Sequence, residues 1–108
     1  MTAWQQGFEV IFMAPESRRH HGRSALEAVI DEAHGLGITR LTRRAGEMSA
    51  GEDGHRHSAH FFELADRPEE VMFVLEPGMA DRLVEAVAAA GIPVFCLRRP
   101  VEFAHPGH

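Results

Sequence analysis

The sequence has no lysine, a single cysteine and no long apolar segment. All 11 basic residues are arginines, so a lysine Schiff base and a phosphate-gripping lysine are both excluded. Any phosphate contact has to come from arginine or from backbone N–H groups. Cys96 has no partner for an internal disulfide and lies in the apolar run 92–97, which favours a reducing compartment and a core position for the thiol.

Membrane and secretion signals are also missing. No apolar run approaches the roughly 20 residues that a bilayer-spanning helix needs. The amino terminus lacks the basic region and the apolar stretch of a secretory signal. We therefore expect a soluble, cytoplasmic protein that is not inserted in a membrane.

What the chain does have is the composition of one ordinary folded domain, which we predict to span residues 1–108. It has 108 residues, 44% of them apolar and 25% charged, and this is enough for one core but leaves no room for a second domain. The formal charge is −5, whereas a nucleic-acid binder usually presents a basic surface that displaces counterions from phosphates. We expect no nucleic-acid partner.

Apolar periodicity and turn residues predict the order β-α-β-β-α-β. A capping box at Ser24 and Glu27 begins the first helix, Gly35 or Gly37 ends it near Leu36, and Pro77 begins the second. Pro68 is expected to interrupt the third strand with a bend or bulge. The predicted strands are 8–14, 38–45, 59–64 with 71–76, and 94–97 extended by an edge segment 100–104, and residues 105–108 are expected to be a frayed tail.

This order predicts an α+β fold of the ferredoxin-like type, a four-stranded antiparallel sheet with both helices on one face. The other face of the sheet would carry Ile11 and Met13 from the first strand. An apolar face without a covering layer is most economically buried against another copy of the chain. We therefore predict a homo-oligomer.

Several motifs along the chain match one family. The end of the first strand reads Ala-Pro-Glu-Ser-Arg from Ala14, and the second strand ends in Arg-Ala-Gly at Gly46. Most specific is His57-Ser58 followed by Phe-Phe-Glu-Leu-Ala-Asp from Phe61. On these motifs the stretch 8–104 resembles the P-II-like family catalogued as domain of unknown function 190.

The resemblance implies a P-II-like signalling protein. Such proteins are homotrimers with ligand clefts between subunits, and a long loop reports occupancy to a partner, often a membrane transporter. The loop here would be about 46–58, with signalling through 46–60, and the resemblance makes Gly46, His57 and Ser58 candidate ligand contacts. Two departures from the family are Ala14 with Pro15 in place of its usual glycine, and a loop richer in histidine.

Further candidates for binding a small anionic effector, such as a nucleotide, lie outside the loop. Arginine forks bind phosphate oxygens bidentately, which makes Arg43, Arg44, Arg98 and Arg99 candidates; surface salt bridges are their alternative role. Gly78, before the second helix, could add backbone donors at the positive end of the helix dipole. Glu16 and Ser17 could hydrogen-bond a ribose or serve as turn residues.

The loop histidines allow a second function, a metal-responsive protein linked to metal homeostasis. In an extended segment His55 and His57 point to the same side and could share zinc, copper or nickel, with His60 as a further candidate. The alternative is a solvated loop in which the histidines bind nothing.

Motifs for catalysis are absent from the sequence. It has no nucleophile elbow, zinc-protease motif, Walker loop or dinucleotide fingerprint. We expect a binding protein without enzymatic activity and without an obligatory cofactor.

Overall fold

The structure is a computed structural model, and it describes residues 2–45 and 67–107. This part of the chain contains two α-helices and six β-strands. The strands are β1 (Gln5–Pro15), β2 (Arg19–His20), β3 (Arg23–Ser24), β4 (Thr42–Ala45), β5 (Pro68–Leu75) and β6 (Phe95–Phe103), and the helices are α1 (Ala25–Gly35) and α2 (Pro77–Ala89). The predicted strand 59–64 and the predicted loop lie outside the described residues.

The main sheet has the order β4-β5-β1-β6, and every neighbouring pair in it is antiparallel. β1 is central and pairs with β5 from Phe8 to Pro15 and with β6 from Gln5 to Met13. Both helices cover the same face of this sheet. The predicted ferredoxin-like α+β fold is confirmed.

Alternation along β1 decides which side chains enter the core. Val10, Phe12 and Ala14 point toward the helices and are almost completely buried. The rings of Phe12 and Phe73 meet edge to face, with centroids 6.0 Å apart. The helices contribute the buried residues Ala25, Leu26, Val29, Ile30 and Ala33 from α1, and Ala80, Leu83 and Val87 from α2.

The side of the sheet that faces away from the helices is called here the open face. As predicted, it carries Ile11 and Met13, but these side chains are only 7% and 3% exposed in the single chain. They lie on the central strand, where residues of β5 and β6 flank them on both sides. The exposed apolar side chains of this face are Val74, 42% exposed, and Phe95, 40% exposed.

Both ends of α1 follow from local sequence. The hydroxyl of Ser24 accepts a hydrogen bond from the Glu27 N–H at 3.4 Å, as the capping box predicts. The predicted return contact from Glu27 to the backbone N–H of Ser24 is wrong. The Glu27 carboxylate instead contacts the Arg43 guanidinium at 2.5 Å, and a hydrogen bond to this charged group is stronger than one to a backbone N–H. Gly37 closes the helix with φ +83, and its N–H donates to the His34 carbonyl.

The second helix begins as predicted, with Pro77 as its first residue and Glu76 as N-cap. Because Glu76 caps α2, β5 ends one residue earlier, at Leu75. Pro68 is the buried first residue of β5, and the predicted bend between this strand and 59–64 stays a prediction, since 59–64 lie outside the described residues. A proline is tolerated at a strand end, where no ladder donor is required.

Two other strand boundaries differ from prediction. β4 begins at Thr42 rather than at residue 38, because Ile38 turns into the core as part of the helix C-terminal turn. β6 is continuous from Phe95 to Phe103, where two segments were predicted. Pro100 fits inside β6 because the strand lies at the edge of the sheet, where its nitrogen can face away from β1.

Between β1 and α1 the chain forms a small hairpin, β2–β3, called here the arginine hairpin (residues 18–24). Arg19 pairs with Ser24 and His20 with Arg23, so the connection is the two-residue turn His21-Gly22. Both turn residues have positive φ, +52 and +80, as a type I′ turn requires. The Ala25 N–H donates to the Arg18 carbonyl at 3.0 Å and fixes the hairpin to the start of α1.

The carboxyl-terminal residues pack back on the sheet. Phe103 lies over Gly7, and its ring contacts that of His105 edge to face, at 6.0 Å between centroids. His105 is exposed, with its Nδ1 atom 3.4 Å from the Arg40 guanidinium. The predicted frayed tail is therefore held at its first residue by ring packing. In the described ranges, neither helix is long and apolar enough to cross a bilayer.

Candidate functional site

Arg43 and Arg44 stand on the edge strand β4, on opposite faces of the sheet. Arg43 faces the helices and contacts two carboxylates, Glu27 at 2.5 Å and Glu69 at 3.8 Å. Arg44 points to the open face, where its guanidinium lies 3.5 Å from Glu70. Both guanidinium groups remain about half accessible to solvent. The salt-bridge role considered for this pair is present in the single chain.

Arg98 and Arg99 stand on the other edge strand, β6, again on opposite faces. Arg98 faces the helices, donates to Asp81 of α2 at 2.9 Å, and lies over the Phe8 ring with 4.4 Å between the guanidinium carbon and the ring centroid. Arg99 points to the open face and pairs with Glu9 of β1. Both arginines sit inside β6 rather than at its end, because the strand continues to Phe103.

The two arginine pairs are therefore on opposite edges of one sheet. Two strands separate β4 from β6, which places the pairs about 14 Å apart at the usual strand spacing. A single subunit does not bring them to one ligand. Each arginine already has a carboxylate neighbour, so an anionic ligand would have to compete with these solvent-screened pairs, which are worth little individually.

Glu16 and Ser17 lie at one end of the sheet and Gly78 at the other. Glu16 follows the Pro15–Pro68 pair, and its N–H donates to the Arg67 carbonyl at 2.8 Å. Gly78 follows Leu75, which pairs with Phe8 seven residues away along β1, a separation of about 24 Å. These candidates cannot contact the same small ligand within one subunit, and their roles stay predictions.

A pocket of about 400 Å³ lies between α2 and the edge strand β6. Its lining combines apolar and charged side chains, namely Asp81, Val84, Glu85, Cys96, Leu97 and Arg98. This volume is in the range of small-molecule sites. Of the cavities in the described part of the chain, this one is lined by a candidate arginine, Arg98.

Cys96 in this pocket is half-buried and carries a free thiol. Burial raises the pKa of the Cys96 thiol above its ordinary value, and the positive charge of Arg98 opposes that shift only in part. The thiol is therefore protonated at neutral pH. This environment suits the predicted role as a small apolar residue and does not activate a nucleophile.

The loop candidates lie outside the described residues. They are Gly46, His55, His57, Ser58 and His60, and their roles as ligand or metal contacts stay predictions. Within residues 2–45 and 67–107, no three metal-ligating side chains come together.

The arginine hairpin is a feature that the sequence pattern does not predict. The pattern indicates an irregular break over residues 15–23, because they are polar and hold no alternating apolar residues. The pair His21-Gly22 is the sequence signal that could have predicted this hairpin. Glycine, and less often histidine, adopts the positive φ of a two-residue turn.

Comparison with solved structures places this fold among PII-like proteins. CPII from Thiomonas intermedia K12, bound to ADP, AMP and acetate, superposes with a TM-score of 0.67 at 10% identity, covering 96% of this chain and 94% of that one. Its apo form, a nitrogen regulatory PII-like protein, gives 0.67 at 8% identity, with coverage of 98% and 100%. A candidate PII-like signaling protein from Thermus thermophilus gives 0.55 at 13% identity, with coverage of 94% and 91%.

Comparison of sequences identifies the family of the chain. No curated protein matches the chain. The family model DUF190, described as "Uncharacterized ACR, COG1993", matches residues 10–99 and so covers most of the chain, including both helices and all of β1 from Val10 onward. With its PII-like fold, the chain belongs to the DUF190 family.

Proposed function

We propose that the protein is a cytoplasmic, trimeric PII-like regulator. It binds a small anionic effector, a nucleotide, in clefts between subunits, and it signals through residues 46–60 to a partner such as a membrane transporter. The role is one of binding and signalling rather than catalysis.

The observation that carries this proposal is the position of Arg43 and Arg98. They face the same side of the sheet from its two opposite edges, β4 and β6. In a closed ring of identical subunits, each contact joins two different surfaces of the chain. Such a contact can bring β4 of one subunit near β6 of the next, which unites two guanidinium groups that a single chain keeps apart.

The chemistry of the cleft supports a nucleotide. Arginine forks suit phosphate oxygens, and the pocket beside Arg98 offers Val84 and Leu97 as apolar surface for a base. The Thiomonas CPII, which shares the fold, has been solved with ADP and AMP. An adenine nucleotide is accordingly the first effector to test.

Isothermal titration calorimetry with ATP, ADP, AMP and bicarbonate tests the effector. We expect at least one nucleotide to bind. At a hundredfold excess over its Kd, the bound nucleotide should also raise the free energy of unfolding by about 2.7 kcal/mol. Arg43→Ala and Arg98→Ala should each weaken binding about tenfold or more, whereas Arg82→Ala, an exposed arginine on α2, should not. Absence of binding by every nucleotide would contradict the proposal.

The metal-responsive alternative is tested in the same experiment. The observation that favours it is the spacing His-Arg-His at His55 and His57. Zinc, copper and nickel are titrated into the untagged full chain and into His57→Ala. Binding that is lost in this variant would support the alternative, and equal affinity of both proteins would remove it.

A further inference from the structure

The arginine hairpin is a strongly cationic segment of an acidic chain. Residues 17–26 include Arg18, Arg19 and Arg23 and no Asp or Glu, while the whole chain carries a formal charge of −5. All three arginines are exposed. Positive charge concentrated on one short projection of a negative protein attracts anionic partners over a range of about 8–10 Å at physiological ionic strength.

Among the described residues, one of the three arginines has a carboxylate partner. Arg23 pairs with Asp31 of α1. Arg18 donates to the Pro93 carbonyl at 3.3 Å, and this neutral acceptor holds the side chain without cancelling its charge. Arg19 forms no ion pair with any described residue. Within the described part of the chain, two positive charges thus have no carboxylate partner.

The hairpin also has a defined conformation that presents its arginines. The type I′ turn at His21-Gly22, the contact between Arg18 and Pro93, and the hydrogen bond from Ala25 to the Arg18 carbonyl fix its shape and its attachment to α1. A rigid surface loses less conformational entropy when it binds. Its arginines are therefore presented in a fixed arrangement.

The hairpin lies at the end of the sheet from which the signalling segment departs. β4 ends there at Ala45 and β5 begins there at Pro68, and the Glu16–Arg67 hydrogen bond ties the start of the hairpin connection to residue 67. A partner that contacts the segment where it leaves β4 approaches this same end. The hairpin can therefore meet the partner as well.

We infer that the arginine hairpin is a docking surface for an acidic protein segment of the signalling partner. The inference rests on the proposed function in taking that partner to be a protein. Arginine forks match carboxylates bidentately, and the turn residues His21 and Gly22 offer no apolar side chain that could insert into a bilayer. Two charges without a carboxylate partner in residues 2–45 and 67–107, on a chain of net charge −5, are too few for a nucleic acid.

Fluorescence anisotropy with the full-length protein tests the inference, using a labelled oligoglutamate peptide as the probe and a Gly-Ser peptide as the blank. We expect oligoglutamate to bind at low salt and to be released as salt is raised. Arg19→Glu should weaken binding about tenfold or more, since it reverses a charge that has no intramolecular partner among the described residues. Arg82→Glu makes the same charge change on exposed α2 and should leave affinity within about twofold.

A second variant separates charge from shape. Gly22→Ala keeps every charge but strains the turn, because φ +80 disfavours any side chain, and no atom lies near the added methyl group. It should weaken peptide binding several-fold, whereas Gly35→Ala should not. Circular dichroism confirms that each variant is folded. Wild-type affinity in Gly22→Ala, or equal losses in Arg19→Glu and Arg82→Glu, would overturn the inference.

Two further measurements test whether the hairpin binds a different kind of ligand. Stronger binding to vesicles containing phosphatidylserine than to oligoglutamate would assign the hairpin to a membrane surface and overturn the inference. Displacement of the peptide by ADP would assign the hairpin to the effector site and would also overturn the inference. Peptide binding by a chain that binds no nucleotide would leave this inference standing while the effector proposal fails.

Discussion

Gly7 marks the residue position at which the sheet tolerates no side chain. A β-carbon built there would lie 2.4 Å from the Leu75 carbonyl oxygen and 2.7 Å from the ring of Phe103. The carbonyl belongs to the backbone of β5 and cannot rotate away. The absence of a side chain at residue 7 is thus what lets Phe103 cover the central strand on the open face.

Gly7→Ala should therefore destabilise the protein by about 1–3 kcal/mol, the usual cost of overpacking a rigid site. Urea unfolding at fixed protein concentration measures this, with Gly35→Ala as the matched control. Gly35 ends α1 with open space around it, so alanine there should leave stability unchanged or raise it. A Gly7→Ala protein as stable as the wild type would mean that β5 shifts freely.

At the level of elements, the hydroxyl of Ser24 links two structures. It caps α1, and the residue is also the last of the arginine hairpin. The acceptor satisfies a helix N–H that would otherwise lack a partner. Loss of this cap would loosen the first turn of α1 and the hairpin that depends on it.

Ser24→Ala should lower the free energy of unfolding by about 0.5–1 kcal/mol, because the hydrogen bond is long at 3.4 Å. Ser24→Asp keeps an acceptor at the N-cap and should retain most of the stability. Thermal denaturation followed by circular dichroism compares the three proteins. Equal melting temperatures for all of them would show that the cap contributes nothing.

The elements that could be predicted from sequence are those whose signals are local. Ser24, Gly37 and Pro77 bound the helices by their own chemistry, and the alternation in β1 assigns the faces of the sheet. The ends of β4 and β6 depend on pairing with distant strands, which short-range patterns do not encode. The hairpin is local, but its two-residue strands are too short and too polar to show an apolar alternation. For the candidate site, residue types pointed to anion binding, but only the strand order placed Arg43 and Arg98 on opposite edges.

For the whole molecule, the proposed association through the open face would have a specific chemical basis. Val74 and Phe95 are its exposed apolar side chains, and the ion pairs Glu9–Arg99 and Arg44–Glu70 lie on the same face. Apolar contact would stabilise the association, while the charged pairs would favour one relative orientation of subunits.

Val74→Glu should convert the proposed trimer to monomers. The new carboxylate would stand beside Glu9, its partner in the strand register, and would replace an apolar contact of the interface with a charged group that has to lose its water. Native mass spectrometry and light scattering report the stoichiometry. Ala88→Glu adds the same charge on the exposed side of α2 and should remain trimeric. A monomeric wild type, or a trimeric Val74→Glu protein, would contradict association through this face.

The proline inside β6 has a consequence for how the protein behaves at high concentration. A long edge strand invites other chains to add to it and can seed fibrillar aggregation. Pro100 removes a backbone donor near the middle of this nine-residue edge and so interrupts the template. Replacing it would restore a continuous edge, so a single substitution at Pro100 would favour amyloid-like growth of this strand.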